Sequence, residues 1–401
     1  MPALESENKR MNFTQFGDGR GIVPRDQRKI IYCGTDIPSV DARGPGRLGP
    51  EDLANQKDRL RALPFDGIAV NIYDPKFPWP QTVLGNNLFS SAKQDLATYA
   101  GAVEGLKNLR AYPHLTDNFL LIATGYWFES GAKDKFDWFD EARWATVENN
   151  LRVYAQIARR AGTIRGFLLD IEEYRKPPSF GGEVEWAYNI FSQNHMYNLV
   201  NPLPKSGDPA GDYKRRVRDR GRRFFRALDD NLPGAPLLLY VGNGASLETK
   251  NPFRADLFPP FLDGILEEIA RTNSRAYVID GCEGAYKLRS GDEHKRLRDV
   301  VKNEWKRPST VPALYDRFVR VGFGKWLDPG DGAAAWNVTD AAKNYYTPQT
   351  WQSALDAALD HADEYVWVWS SGNARAFTMS HGRAPNVAAP YFDATRKAKR
   401  P

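Results

Sequence analysis

Apolar residues occur in two alternating patterns from Lys29 onward. Short runs rich in branched and aromatic residues are typical of buried strands, and longer stretches with helical spacing of apolar positions are typical of amphipathic helices. Repeated strand-helix units favour parallel strands covered by helices. Eight such units follow one another, and no glycine-rich phosphate-binding turn follows the first strand, as an open dinucleotide-binding sheet would require. We therefore expect an α/β fold, a single (β/α)₈ TIM barrel with long loops after its strands.

The predicted elements divide the chain into three parts. Strands are expected at 29–37, 67–74, 118–127, 164–172, 236–243, 276–282, 320–327 and 364–370. Helices are expected at about 50–63, 91–109, 140–161, 212–228, 261–269, 293–318 and 348–362. The connection from 175 to 210 is longer than is usual for a loop without a function. The bounds of these elements predict an N-terminal extension, 1–28, a barrel domain, 29–371, and a C-terminal tail, 372–401. Only weak signals of secondary structure occur in the tail.

Composition is that of a folded soluble protein. Hydrophobic residues make up 42% of the chain and charged residues 26%, and 55 Lys and Arg against 50 Asp and Glu leave a nearly balanced surface that does not favour nucleic acid. The densest basic run, 214–223, lies in a helical pattern, so its charges are expected on a solvated outer face above the apolar positions Val217, Phe224, Phe225 and Leu228. No stretch resembles a secretory signal or a membrane span, and removal of a signal peptide before residue 1 is left open.

Metal and thiol chemistry have little support in the sequence. The two cysteines, Cys33 and Cys282, lie in separate predicted strands, where a small buried side chain is the usual role. The five histidines are scattered, and no Gly-x-Ser-x-Gly turn occurs. We therefore expect no cofactor, no protein-bound metal site and no acyl transfer, although a cation held by carboxylates is left open.

The end of the fourth strand carries the sharpest chemical signal. Active sites of such barrels lie at the C-terminal ends of the strands. Strand alternation places Leu168, Asp170 and Glu172 on one face, with Leu169 and Ile171 on the other. Two carboxylates roughly 7 Å apart on one strand repel each other, so one should keep its proton to higher pH and serve as a general acid. Salt bridges at the barrel rim are the alternative.

Strands six and eight supply the expected partners. Asp280 lies within strand six and Glu283 just beyond it; either could face Glu172 across the mouth, and Glu283 is preferred. Strand eight carries Trp367 and Trp369 on one face. If that face is inward, Trp369 would form a stacking platform, and if it is outward, both would pack on helices.

Further polar and aromatic residues are predicted at the other strand ends. As a set they resemble the hydrogen-bonding and stacking groups of a saccharide pocket. They are Asp36, Asn71, Tyr73, Tyr126, Trp127, Tyr240, Asn243, Trp326 and Asp328.

With these residues, positions 29–371 resemble the (β/α)₈ glycoside hydrolases. Asp170 and Glu172 on strand four, with the Trp-bearing strand eight, are similar to chitinase-like barrels, and the resemblance implies Glu172 as the proton donor and Asp170 as an orienting residue. Chitinase-type strands carry further aspartates where this sequence has Arg165 and Leu168. Another large group, of glycosidases that retain configuration, places its second catalytic Glu at the end of strand seven. This sequence has no Glu at that position, which leaves Glu283 or Asp280 as the second carboxylate.

The resemblance implies a hydrolase that cleaves a glycosidic bond in an oligo- or polysaccharide by carboxylate acid/base catalysis, with a carbohydrate as its partner. One alternative is a non-catalytic carbohydrate-binding barrel without a competent carboxylate pair. The other is a lyase or isomerase that uses Lys325 and a carboxylate-bound metal.

Overall fold

The sheet of this protein is parallel throughout. The computed structural model describes residues 22–33, 49–50, 53–54, 57–73, 83–124, 136–172, 190–192, 209–247, 255–329, 336–337, 339–370 and 385–399. Within them the strand segments are β1 (Lys29–Tyr32), β2 (Gly67–Val70), β3 (Asn118–Ala123), β4 (Ile164–Asp170), β5 (Leu237–Leu239), β6 (Val278–Asp280), β7 (Val319–Val321), β8 (Phe323–Trp326) and β9 (Tyr365–Trp369). Their order is β7-β6-β5-β4-β3-β2-β1-β9-β8.

The two outermost segments of this order, β7 and β8, are halves of one barrel strand interrupted at Gly322. On one side, the Gly322 N–H donates to the Asp280 carbonyl at 2.7 Å, and on the other, the Asp363 N–H donates to the Val321 carbonyl at 2.7 Å. The nine segments therefore close as eight strands. This confirms the predicted (β/α)₈ barrel.

The barrel strands are apolar on both faces because each face is buried. Side chains such as Ile31, Phe119 and Leu168 fill the barrel interior. Their sequence neighbours, such as Ile30, Leu120 and Leu169, pack outward in the layer between strands and helices. Nearly continuous apolar runs are the expected sequence of such strands.

The helices form the outer layer. They are α1 (Lys57–Ala62), α2 (Ala100–Lys107), α3 (Glu141–Ala161), α4 (Pro209–Asp229), α5 (Phe258–Thr272), α6 (Gly291–Asn303), α7 (Pro312–Phe318), α8 (Pro348–His361) and α9 (Pro385–Ala398). Their ends follow local chemistry: α3 begins after Asp140, whose side chain accepts the Arg143 N–H, and ends at Gly162 with a positive φ of 66°. No helix of the described residues is long and apolar enough to cross a membrane.

The single helix predicted for 293–318 is wrong, because α6 and α7 are separate. Pro308 lies between them and has no N–H to continue the helical ladder. The next two residues instead bind α5: the Ser309 hydroxyl donates to Asp263 Oδ1 at 2.5 Å and the Thr310 N–H donates to Asp263 Oδ2 at 2.7 Å.

The basic helix α4 also differs from expectation. Its predicted apolar positions are buried, but its arginines are paired with acidic residues of the flanking helices instead of being simply solvated. Arg220 is fully buried and binds Glu141 of α3, while Arg218 and Arg222 bind Glu267 of α5. The basic run thus joins three helices.

The C-terminal helix α9 was not predicted. It packs on α8, where the Trp351 indole N–H donates to the Thr395 hydroxyl at 3.0 Å. The Tyr391 hydroxyl donates to the Tyr346 carbonyl at 2.6 Å. Its three-to-four-residue apolar spacing is short and interrupted by Pro390, which is why the sequence pattern was weak.

Candidate functional site

The mouth of the barrel is built around the end of β4. Asp170 faces the interior, like Leu168, and is 3% exposed. Its Oδ1 accepts the backbone N–H of Glu172 at 2.9 Å. This local bond fixes the direction in which the chain leaves the strand, and Glu172 lies half-buried one step farther toward the rim.

Glu283 reaches the same place from β6 by a bend in the chain. Cys282 has a φ of 46°, in the left-handed region that non-glycine residues seldom adopt. A 3₁₀ turn, Glu283–Ala285, follows, and the Glu283 N–H donates to the Tyr240 carbonyl at 3.2 Å. The bend places Glu283 beside Glu172, close enough for the Glu172 carboxyl group to raise the pKa of Glu283.

The contact controls the charge of the pair. Burial, and then the hydrogen bond and charge of Glu172, raise the pKa of Glu283 well above its usual range. The physical cause is that ionising Glu283 would place its charge, partly removed from water, next to a second carboxyl group. Asp170 adds a further negative charge that acts in the same direction.

Tyr286 is a site residue that the sequence analysis missed. Its hydroxyl hydrogen bonds to Glu283, an interaction that by itself lowers the pKa of that carboxyl. Its ring lies edge-on to Trp367, at 5.3 Å between centroids, and to Trp326, at 5.6 Å. The only signal in the sequence was that Tyr286 follows Glu283 by three residues. That spacing brings the two side chains together only because residues 283–285 form a 3₁₀ turn.

The two tryptophans of β9 both face inward but differ in exposure. Trp367 is fully buried, stacks on Tyr240 at 4.3 Å between ring centroids, and donates its indole N–H to the Gly281 carbonyl at 2.8 Å. Trp369 is only half-buried and lies edge-on to Tyr240 at 6.3 Å. Trp369 therefore offers a surface to a ligand, whereas Trp367 and Tyr240 lie beneath it, away from direct contact.

Asp280 lies on the outer, helix-facing side of β6 and not in the barrel interior. It alternates with the inward-facing Ile279, and its Oδ1 accepts the Cys282 N–H at 3.2 Å. A Cβ atom on Gly242 would lie 1.9 Å from Asp280 Oδ2, so the carboxyl is packed tightly against that glycine. Burial raises the pKa of Asp280 to about 7. Of the two strand-six candidates, the structure brings Glu283 and not Asp280 to Glu172.

The other predicted residues are dispersed. Asn71 is half-buried, and its Oδ1 finds no hydrogen-bond partner among the described residues; the same is true of both amide atoms of the fully buried Asn243. Tyr73 is buried. Trp326 is half-buried and donates its indole N–H to Asp328 Oδ1 at 2.8 Å. Asp36, Tyr126, Trp127 and most of the 175–210 connection lie outside the described residues.

Lys325, the base expected in the lyase alternative, extends from the helix-facing side of β8. Its amino group donates to the carbonyls of Ala285, at 2.9 Å, and Leu288. It therefore lies behind the mouth and does not face Glu172. Among the described residues, no three His, Cys, Asp or Glu side chains are arranged to hold a metal ion.

Comparison with known proteins finds neighbours only at the level of structure. No protein-family model matches the chain, and no curated protein does. Similar solved structures include a GH5-4 broad specificity endoglucanase from an uncultured bacterium, with 12% identity, a TM-score of 0.47, and coverage of 98% of this chain and 99% of that one. A family 5 xyloglucanase from Paenibacillus pabuli has 9% identity, a TM-score of 0.46, and coverage of 94% and 99%. A psychrophilic glycoside hydrolase family 10 endo-β-1,4-xylanase has 12% identity, a TM-score of 0.41, and coverage of 86% and 87%.

Proposed function

We propose that this protein is a glycoside hydrolase that cleaves a glycosidic bond in an oligo- or polysaccharide. The observation that carries the proposal is the placement of Glu283 beside Glu172 and Asp170 at the C-terminal mouth of a (β/α)₈ barrel, by the bend at Cys282 and the end of β4. Barrel enzymes bind their substrates at this end. Glycoside hydrolysis requires a carboxyl group that is still protonated at working pH, beside a second that is ionised.

The proposal gives the two carboxyl groups different roles. Glu283 is the proposed proton donor to the leaving oxygen, because burial and the neighbouring Glu172 raise its pKa. Glu172 is the proposed second carboxyl group, and its backbone N–H donates to Asp170 Oδ1 at 2.9 Å. This exchanges the roles expected from the sequence, in which Glu172 was the acid.

The close contact also bears on how the substrate is attacked. In most glycosidases the two carboxyl groups are about 5–5.5 Å apart when configuration is retained and about 6.5–9.5 Å apart when it is inverted. Glu172 and Glu283 lie close enough to interact directly, so a sugar bound between them would have to part the two side chains. We therefore propose that a bound substrate separates the pair, so that Glu283 protonates the leaving oxygen while Glu172 acts as the nucleophile or as the base for an attacking water.

Turnover of a panel of aryl glycosides and polysaccharides tests the proposal. Glu172→Gln and Glu283→Gln keep the shape of each side chain, and each should lower kcat by about 100-fold or more. Asp280→Asn is the matched control, since it makes the same chemical change on strand six but on the other face of the wall, and it should keep wild-type turnover.

Each result has a definite meaning. Wild-type turnover that persists in both glutamine variants would overturn the site assignment. Oligosaccharide binding without any wild-type turnover would instead identify a carbohydrate-binding barrel. Where turnover is found, the anomeric configuration of the first product, read by NMR, shows whether water attacks directly or a covalent or cyclic intermediate forms.

A further inference from the structure

The segment from Glu283 to Leu288, which we call the Glu283 turn, is held through its backbone carbonyl groups. The Lys325 amino group binds the Ala285 and Leu288 carbonyls. The Tyr346 hydroxyl donates to the Tyr286 carbonyl at 2.8 Å and lies 3.3 Å from that of Leu288. The Tyr345 hydroxyl donates to the Lys287 carbonyl at 3.0 Å. Four consecutive carbonyls thus have side-chain donors from β8 and the segment before α8.

Lys325 is the residue of this set whose burial has the largest desolvation cost. It is 0% exposed, and it forms no salt bridge with a carboxylate of the described residues. Burial lowers its pKa to about 7; the charged groups around it are Glu293 and Arg289, and His294 lies close enough to feel its charge. An apolar side chain would fill this space without the desolvation cost of an amino group. The hydrogen bonds of this amino group to the Glu283 turn must therefore offset a desolvation cost that an apolar side chain would not have.

We propose that Lys325 is a positioning residue whose amino group fixes the Glu283 turn, so that Glu283 and Tyr286 are held against Glu172. The Ala285 carbonyl also accepts the Leu288 N–H at 3.1 Å, and the Leu288 carbonyl lies 3.3 Å from the Tyr346 hydroxyl. Removing the Lys325 amino group would therefore leave each carbonyl with one donor fewer, in a place where water does not readily replace it. Without Lys325 the turn would move until those carbonyls met water. Glu283 and Tyr286 lie within the turn and would move with it. The inference rests on the proposed function only for its effect on catalysis.

The test compares Lys325→Met with Lys302→Met. Lys302 on α6 is a matched control, because it is also largely buried, its pKa is also lowered by burial, and its amino group also donates to a strand carbonyl, that of Val319 at 2.6 Å. It does not contact the Glu283 turn. Tyr346→Phe is a milder second variant, which removes one hydroxyl from the same carbonyl set with little change in volume.

The first readout does not depend on turnover. Glutamate side-chain carboxyl carbons are followed by NMR across pH, and the signals of the pair are assigned by their loss in Glu172→Gln and Glu283→Gln. In Lys325→Met the upper titration step of the pair should fall by about one pH unit or more, because Glu283 separates from Glu172 and reaches water. Tyr346→Phe should shift it less in the same direction, and Lys302→Met should leave it at the wild-type position.

The second readout is turnover, where kcat in Lys325→Met should fall by about 100-fold with little change in KM, as expected for a misplaced catalytic group. A wild-type titration of the pair in folded Lys325→Met would overturn the proposal, as would an equal shift in Lys302→Met. If Lys325→Met fails to fold, an unshifted titration in Tyr346→Phe overturns it. Failure of the proposed function shows separately, as an absence of turnover by the wild type.

Discussion

Replacing Glu283 with glutamine tests whether this side chain binds a proton when the chain folds. Burial and the Glu172 contact raise its pKa above the usual range of a glutamate. A raised folded-state pKa contributes stability that is fully present below the unfolded pKa, near 4.3, and is lost as pH rises through the folded pKa. Glutamine resembles the protonated acid at every pH and does not show this loss.

The size of the effect follows from proton linkage. While the folded protein holds one proton that the unfolded chain has released, each pH unit removes about 1.4 kcal/mol from the free energy of unfolding. Between about pH 5 and about pH 7, the wild type should therefore lose about 3 kcal/mol relative to Glu283→Gln. The sign is fixed: as pH rises, the free energy of unfolding of Glu283→Gln increases relative to that of the wild type.

Urea unfolding at several pH values, with reversibility checked, measures this difference. Glu104→Gln is the control, since Glu104 is an exposed glutamate on α2 paired with Lys107, and its unfolding free energy should run parallel to that of the wild type. Parallel curves for Glu283→Gln as well would refute the reasoning, because they would mean that Glu283 releases its proton at an ordinary pKa.

Three further variants test separate parts of the structure. Trp369→Ala should weaken oligosaccharide binding by about tenfold or more in calorimetry, because it removes the stacking surface of the proposed site. Gly281→Ala should lower the free energy of unfolding by about 1–3 kcal/mol, since the new Cβ would lie 2.3 Å from the Leu239 carbonyl oxygen. Gly284→Ala is the control and should leave the free energy of unfolding unchanged, because a Cβ at that position has no neighbour within 4 Å. Glu268, whose pKa is lowered from 4.5 to about 2 chiefly by Arg271, stabilises the fold above about pH 4.5 and loses that contribution toward about pH 2. Acid unfolding followed by circular dichroism should therefore be less steep over that range in Glu268→Gln.

Sequence patterns predicted the barrel well because the signals for its strands and for its helices are both local in the sequence. Apolar runs mark the strands, and helical spacing with capping residues marks helices such as α3. The pattern failed where distant residues decide the outcome. Asp263 of α5 draws Ser309 and Thr310 away from a continuous helix, and α9 is stabilised by α8 and not by its own spacing.

Strand alternation correctly placed some side chains of the mouth but could not place residues beyond a strand end. It set Asp170 inward, and it set Trp367 and Trp369 on one face. It could not say that Trp367 is sealed beneath Tyr240 while Trp369 remains partly exposed, because depth along the barrel depends on how all the strands are staggered.

The sequence by itself determined the eight strand-helix units, the end of the barrel where polar residues gather, and a small set of acidic candidates. Tertiary structure decided which of them meet. The left-handed bend at Cys282 turns Glu283 toward Glu172 and leaves Asp280 behind the wall. It also decided that Lys325 supports the Glu283 turn from behind. The physical reason is that alternation and spacing describe a single element, whereas the approach of two carboxyl groups from β4 and β6 exists only after the closed sheet has brought separate elements together.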